Sequence, residues 1–172
     1  GKTTQYANLL KRAGEDGFDL TGTTFPNYDS PSGRLITQYL SGAFGGHPED
    51  VNAYAAASFY AVDRYASYKT DPWGAAIRNG GAVLSARYTT SNAVHQACKL
   101  PPEQWADFFR WLADYEFGLL GLPRPTAVFY LDIPVEVSVA MTAARERNAG
   151  TIRDIHELDT TYLRRCAAAA GA

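Results

Sequence analysis

The chain begins with Gly1, Lys2, Thr3 and Thr4, directly before a segment with the apolar spacing of a helix. Glycine, lysine and threonine in this order form the closing half of the phosphate-binding loop G-x-x-x-x-G-K-[ST], whose lysine reaches the terminal phosphates and whose hydroxyl holds Mg²⁺. The start of a helix also favours an anion, because its free N–H groups and its dipole point outward. The sequence therefore indicates a phosphate site in which Lys2 binds phosphates and Thr3 holds Mg²⁺, unless these residues form a flexible terminal tail.

A second group of polar side chains follows GAVLSA, the segment 81–86, which has the apolar composition of a short buried strand. In open parallel sheets, ligands bind beyond the carboxyl ends of the strands. Arg87 offers a cation for a phosphate at that position. Hydroxyl, amide and imidazole groups that suit a base or a sugar follow it: Thr89, Thr90, Ser91, Asn92, His95 and Gln96. Capping of a helix by Thr90 or Ser91 also explains part of this pattern, and both interpretations can hold together.

A third candidate is the pair Tyr60 and Arg64, which are four residues apart and so share one face of a predicted helix over residues 51–67. An apolar stripe at helical spacing predicts that the opposite face packs on the core. This stripe contains Val51, Tyr54, Ala55, Ser58, Phe59 and Val62. A flat ring could stack on Tyr60 while Arg64 donates to an exocyclic oxygen of that ring. The alternative is a surface arginine beside a half-buried tyrosine.

The elements that position these groups alternate along the chain. Helices are predicted over residues 3–12, 31–40, 51–67, 102–117 and 134–147, and again after an exposed loop at 148–154. Strands are predicted over residues 18–25, 81–86 and 126–133. Strands that alternate with helices predict a single α/β domain with a parallel sheet.

Composition excludes several other classes of protein. The 172 residues include 16 basic and 18 acidic side chains, a formal net charge of −2, so the bulk attraction that nucleic-acid binding needs is not expected. No apolar run approaches the ~20 residues that span a bilayer. Cys98 and Cys166 have no metal-ligand spacing and are expected to be free thiols in a reducing cytoplasm.

Six motifs lie in order along almost the whole chain. They are GKTTQ at 1–5, FPNYDSPSG at 25–33, SFYAVDRYAS at 58–67, ARYTTSNAVHQ at 86–96, LGLPRP with TAVFYLDIP at 120–134, and DIHELD at 154–159. Together they resemble the thymidylate kinase family, P-loop enzymes that phosphorylate dTMP with ATP. The resemblance implies a three-layer α/β fold in which helices flank a parallel sheet, one domain over residues 1–172, and a lid segment at about 145–156.

The resemblance also implies a role for each matching residue. Gly1, Lys2, Thr3 and Thr4 would bind ATP, with Thr3 on Mg²⁺. Phe25 and Tyr60 would pack around the thymine, and Arg64 would donate to its oxygen. Arg87 would hold the dTMP phosphate, while Ser91, Asn92 and Gln96 match positions that contact the base or the deoxyribose. The lid arginines Arg145, Arg147 and Arg153 would join Lys2 and Arg87 in neutralising the transferring phosphoryl group.

Two departures from the family pattern affect the charged groups. Ala86 stands before Arg87 where many members have an acidic or amide residue, and this implies weaker organisation of Mg²⁺. Asn27 and Tyr28 stand where the family often has an arginine, which implies one cation fewer for the dTMP phosphate.

The family's first, central strand and its last strand would lie outside this chain. The chain is therefore expected to be a fragment, inactive by itself, of a cytoplasmic enzyme that makes dTDP for dTTP synthesis. The complete protein is expected to be a homodimer that binds dTMP and ATP but neither nucleic acid nor membrane. Two alternatives stay open: another nucleoside or deoxynucleoside (mono)phosphate kinase, or a non-catalytic nucleotide-binding protein.

Overall fold

The computed structural model describes residues 1–149 and 155–172 as a helix-rich α/β fold around a small parallel sheet. The helices are α1 (Lys2–Glu15), α2 (Gly33–Leu40), α3 (Ala53–Thr70), α4 (Pro72–Arg78), α5 (Thr89–Ala97), α6 (Trp105–Ala113), α7 (Val135–Ala149), α8 (Ile155–Leu158) and α9 (Thr160–Ala170). The strands are β1 (Leu20–Thr24) and β2 (Ala82–Ala86). Short 3₁₀ turns cover Pro48–Asp50 and Pro102–Gln104, and a π-helical stretch covers Asp114–Leu119.

Strands β1 and β2 pair in parallel, with Leu20 beside Ala82 and Thr24 beside Ala86. Their carboxyl ends therefore meet at one edge of the sheet, where the chain continues into Phe25 and Arg87 respectively. Helix α1 packs closely on this sheet: a side chain at Gly22 would place its Cβ only 2.5 Å from the Tyr6 hydroxyl. The glycine thus allows the helix that begins with Lys2 to approach the strands that lead to the other candidate residues.

The predicted strand over residues 126–133 is wrong. This segment runs without regular structure and pairs with no strand among the described residues. Its large apolar side chains are exposed, and Phe129 has 82% of its surface accessible. A pattern rich in β-branched and aromatic residues reports a local preference, but a strand also needs a neighbour for its N–H and C=O groups.

The predicted core face of α3 is also wrong. Tyr54 and Val62 of the apolar stripe remain 40% and 49% exposed, whereas Arg64 is 2% exposed. The buried residues of this helix are Ala53, Ala56, Ala57, Ala61, Asp63, Arg64 and Ser67. Small alanine side chains let α5 approach the α3 backbone, and the Asn92 side chain donates to the Ala57 carbonyl at 3.0 Å. The buried face of α3 is therefore the one whose small side chains allow close backbone packing, and not the one with the larger apolar side chains.

Helix α4 was not predicted, and the predicted helix over residues 102–117 is broken into three parts. Gly74 permits α4 to turn back on α3, because a Cβ at that position would lie 1.9 Å from the Tyr68 carbonyl oxygen. The other predicted helices and strands are confirmed with shifts of a few residues at their ends. Asn148 and Ala149 belong to α7, and the rest of the predicted loop, residues 150–154, lies outside the described residues.

The described helices include none that is both long enough and apolar enough to cross a lipid bilayer. Cys98 and Cys166 lie in the core with their sulfur atoms 3.2 Å apart, and both are free thiols.

Candidate functional site

A cavity of about 720 Å³ opens at the carboxyl edge of the sheet. It is enclosed by the start of α1, the ends of β1 and β2, one side of α3, helix α5, and residues of α7, α8 and α9. Every predicted site residue with a described side chain lines it: Gly1, Lys2, Thr3, Thr4, Phe25, Tyr60, Arg64, Arg87, Ser91, Asn92 and Gln96. Residues that are distant in sequence are thus brought to a single site.

The predicted lid arginines lie at the end of the first described range or beyond it. Arg145 and Arg147 are in the last turns of α7, but their side chains lie outside the described residues, as does the whole of Arg153. The earlier part of α7 forms one wall of the cavity through Ser138, Met141 and Thr142. The role of Arg145, Arg147 and Arg153 in neutralising the charge of the phosphoryl group therefore stays a prediction.

One end of the cavity is suited to anions. Gly1 caps the N-terminus of α1, and Lys2, Thr3 and Thr4 are exposed in its first turn. The first N–H groups of a helix have no partner within it, and they carry a partial positive charge. Together with the Lys2 ammonium group, this helix start can bind phosphate oxygens.

Arg87 adds a second cation and has an unusual backbone. Its φ of 68° is in the left-handed region, which residues other than glycine rarely adopt. The Ser85 hydroxyl donates to the Arg87 carbonyl at 2.6 Å, and Arg87 Nη1 donates to Ser91 Oγ at 2.8 Å and to His95 Nε2 at 3.3 Å. A strained backbone held by its neighbours is common at functional sites, and here it fixes where the guanidinium enters the cavity.

Arg64 forms a buried ion pair with Glu116. Its Nε lies 2.7 Å from Glu116 Oε2, and its Nη2 lies 2.5 Å from Glu116 Oε1. The guanidinium carbon is 6.0 Å from the ring centres of both Phe25 and Tyr88. Bidentate pairing and the two aromatic rings hold the guanidinium plane in one orientation. Among the described residues, no hydrogen bond is made by the remaining nitrogen, Nη1.

Asn92 and Gln96 present buried polar atoms without partners. Asn92 Nδ2 donates to Ala57 O and to Glu116 Oε1, both at 3.0 Å. Within the described part of the chain, Asn92 Oδ1 and both polar atoms of the Gln96 side chain have no hydrogen-bond partner. Such groups are rare in folded proteins because burying them unpaired destabilises the fold. Both residues also line the cavity, which makes them candidates for contact with a bound ligand.

The loop that carries Phe25 is held in place by Asp63, a buried carboxylate of α3. Asp63 accepts from the Asn27 N–H at 2.9 Å and from the Ser32 hydroxyl at 2.8 Å. Gly33 closes this loop, and a Cβ at that position would lie 1.9 Å from the Asn27 carbonyl oxygen. The motif FPNYDSPSG therefore supplies a rigid support for the aromatic wall of the cavity.

Two neutral histidines form the wall nearest α9. The His95 and His156 rings stack with their centres 5.5 Å apart. Burial, with the nearby Lys99 and Arg87 charges, lowers the pKa of His156 to about 3. Burial and Arg87 also place the pKa of His95 well below its usual value. Lys99 Nζ donates to the Tyr39 hydroxyl at 2.7 Å, and that hydroxyl also shares a hydrogen bond with His156 Nε2 at 2.8 Å.

Reasoning from sequence missed Glu116, Tyr88 and His156. Glu116 has the clearest signal in retrospect, since this acidic residue directly precedes the run FGLL, which has no charged residue. A carboxylate in such surroundings needs a buried cation. The arginine that pairs with it lies 52 residues earlier in the chain, so the pattern alone could not identify the pair.

Comparison with known proteins agrees with the motifs. The family model for thymidylate kinase matches residues 1–170. A thymidylate kinase of Mycobacterium tuberculosis (strain ATCC 25618 / H37Rv) is 28% identical over 170 residues, which are 98% of this chain and 78% of that protein. A thymidylate kinase of Caenorhabditis elegans is 29% identical over 147 residues, 80% of this chain and 60% of that protein.

The fold is similar to that of a solved structure of thymidylate kinase from Candida albicans. The TM-score is 0.66 at 18% sequence identity, with 99% of this chain and 71% of that chain covered. This similarity confirms the predicted α/β kinase fold, with a sheet that is small and parallel.

Proposed function

Because the chain belongs to the thymidylate kinase family, a family of phosphotransferases, we propose that it transfers a phosphoryl group from ATP to dTMP and so supplies dTDP for dTTP synthesis. Phosphoryl transfer requires positioned reactants and neutralised charge more than covalent participation by the protein. The cavity would hold dTMP between α3 and α5 and the ATP phosphates at the start of α1.

One observation supports thymine as the base: two polar side-chain atoms of cavity residues have no hydrogen-bond partner among the described residues. Among the described residues, Asn92 Oδ1 is an acceptor without a hydrogen-bond partner and Arg64 Nη1 is a donor without one, and both residues line the cavity. Thymine presents an acceptor, O4, next to a donor, N3–H, whereas cytosine presents a donor, N4–H₂, next to an acceptor, N3. The unused pair complements thymine and opposes cytosine.

The other cavity residues suit the rest of dTMP. Phe25 and Tyr60 offer aromatic surfaces for the pyrimidine ring, and Gln96 offers two further polar atoms near the deoxyribose. The Arg87 guanidinium would hold the 5′-phosphate. Ser91 would keep the guanidinium in place, since its Oγ accepts from Arg87 Nη1 at 2.8 Å. Charge-assisted contacts of this kind are among the strongest hydrogen bonds in proteins.

At the other end of the cavity, Gly1, Lys2, Thr3 and Thr4 would bind ATP. The described residues include no group of three His, Cys, Asp or Glu side chains that could hold a metal by themselves. Mg²⁺ in kinases is usually held by one or two protein oxygens together with phosphate oxygens and water. The Thr3 hydroxyl fits that requirement, and the ion would offset phosphate charge there.

We further propose that the lid arginines Arg145, Arg147 and Arg153 approach the transferring phosphoryl group, and that the protein acts in the cytoplasm as a homodimer. The exposed face of α3 supports an interface between two copies, because it carries Tyr54, Val62 and Tyr65 at 40%, 49% and 37% exposure. The two free thiols fit a reducing compartment.

Thermal unfolding in the presence of different nucleotides tests the proposed substrate. A ligand that binds only the folded chain raises the melting temperature with its concentration. At equal concentration, dTMP is expected to raise it clearly more than dCMP or dGMP. Equal shifts for the three nucleotides would contradict a site for thymine. For the transfer step, dTDP and ADP must appear in equal amounts from dTMP and MgATP, and ADP without dTDP would exclude this reaction.

A further inference from the structure

Glu116 is the centre of a buried hydrogen-bond network that connects two sides of the cavity. Its carboxylate is completely buried and accepts four hydrogen bonds: two from Arg64, one from Thr89 Oγ1 at 3.0 Å and one from Asn92 Nδ2 at 3.0 Å. It is absent from the residues that line the cavity, whereas Arg64 and Asn92 are among them. Glu116 therefore acts on a ligand only through these two neighbours.

The network fixes the orientation of the Asn92 amide. Its Nδ2 lies between the Ala57 carbonyl and the Glu116 carboxylate. Both partners are oxygens without a hydrogen to donate, since the arginine pairs with an ionised carboxylate. Rotating the amide by half a turn would place Oδ1 against two acceptors. Asn92 must consequently keep Nδ2 on the Glu116 side, and Oδ1 remains its unused acceptor.

The same carboxylate fixes which donor Arg64 can offer. Glu116 accepts from the N–H of Nε and from one N–H of Nη2, so the N–H groups left for a ligand are the two on Nη1 and the second one on Nη2. The rings of Phe25 and Tyr88 restrict the tilt of the guanidinium. A single buried carboxylate thus sets both the acceptor on α5 and the donor on α3.

We propose that Glu116 is a positioning residue that determines base specificity: by holding Arg64 and Asn92 together, it makes the cavity select a pyrimidine with a 4-oxo group and a protonated N3 and reject a 4-amino pyrimidine. This proposal rests on the proposed function. It extends that function to a residue that does not contact the nucleotide.

The variant Glu116→Gln tests the proposal. Its side chain has nearly the same shape, but the new amide can donate to Asn92 Oδ1. One of the two acceptors that fix the Asn92 amide is then replaced by a donor, and only the Ala57 carbonyl still holds Nδ2 in its present orientation. Calorimetric titration measures the affinities for dTMP and for dCMP. The ratio of the two is expected to fall by about tenfold or more in the variant, because a binding site rejects the wrong ligand mainly through buried polar groups that this ligand leaves unpaired. Affinity for ATP is expected to stay unchanged.

Asp114→Asn is the matched control, since it removes a carboxylate from the same π-helical stretch at an exposed position. It is expected to keep the preference of the unmutated chain. If Glu116→Gln does not fold, Thr89→Val and Thr89→Ser replace it as a pair: the first removes one donor to Glu116, and the second keeps that hydroxyl. A reduced preference for dTMP is expected for Thr89→Val alone.

The outcomes separate the two proposals. An unmutated chain without preference for dTMP over dCMP would overturn the proposed function and this inference together. A second outcome is that the unmutated chain prefers dTMP and Glu116→Gln retains the same preference. Where Glu116→Gln does not fold, the same preference in Thr89→Val counts instead. This outcome would overturn only the role of Glu116. A loss of stability with unchanged preference would assign Glu116 to the core alone.

Discussion

Replacing Arg64 with alanine is expected to lower the free energy of unfolding by about 3–5 kcal/mol, the usual effect of removing one partner from a buried ion pair. The substitution leaves the Glu116 carboxylate at 0% exposure without the two hydrogen bonds that Arg64 donates. It also removes a donor to the ligand, which is expected to weaken dTMP binding by about 1.5–3 kcal/mol, the typical contribution of a charged hydrogen bond. Denaturant titration measures the first effect and calorimetry the second.

Two further variants separate stability from recognition. Arg64→Lys keeps a positive charge beside Glu116 but has no guanidinium, so it is expected to retain most of the stability while losing affinity for dTMP. Arg110→Ala removes an arginine that is paired with Asp107 on the surface, and its effect is expected to stay within about 0.5 kcal/mol. An Arg64→Ala chain as stable as Arg110→Ala would contradict the description of the Arg64–Glu116 pair.

Stability is expected to fall steeply as the pH is lowered below neutrality. An unfolded histidine has a pKa of about 6.5, and burial lowers the pKa of His156 in the folded chain to about 3. Between these values the unfolded chain binds more protons than the folded chain, so stability present above pH ~6.5 is lost as the pH falls. His156 alone is expected to remove about 2 kcal/mol between about pH 7.5 and about pH 5. His95 adds an effect of the same sign, because its pKa is also lowered.

Denaturant titrations at these two pH values check the effect. His156→Gln keeps an acceptor within reach of the Tyr39 hydroxyl but cannot take up a proton, so this variant is expected to show a smaller pH dependence. His47→Gln, at an exposed position, serves as the control and is expected to retain the full dependence. A pH dependence that is equally steep in His156→Gln would exclude His156 as its source.

Local signals predicted much of the fold. Apolar periodicity and proline or glycine boundaries identified α1, α2, α3, β1 and β2, because these features act within a few residues. The segment 126–133 has an equally good strand pattern but remains unpaired and exposed. Pairing depends on a neighbour that is distant in sequence, and no local pattern reports whether it is present. The buried face of α3 was mistaken for the same reason, since only the arrival of α5 decides that its alanines face inward.

The candidate site divides in a similar way. Motif matches selected residues from Gly1 to Gln96 that line one cavity, although their individual roles remain predictions. Glu116 could not be found in that way, because its importance comes from three partners on α3 and α5. The left-handed backbone of Arg87 is likewise invisible in the sequence, since arginine has no preference for that conformation.

The most direct test of the central claim is proton NMR of dTMP, labelled with ¹⁵N at N3, bound to this chain. If Asn92 Oδ1 accepts from the base, the N3–H proton is held in a hydrogen bond and shielded from water. The predicted result is a slowly exchanging imino resonance with a nuclear Overhauser effect to the Asn92 side chain. An imino proton that exchanges with water as fast as it does in free dTMP would contradict the proposed thymine site.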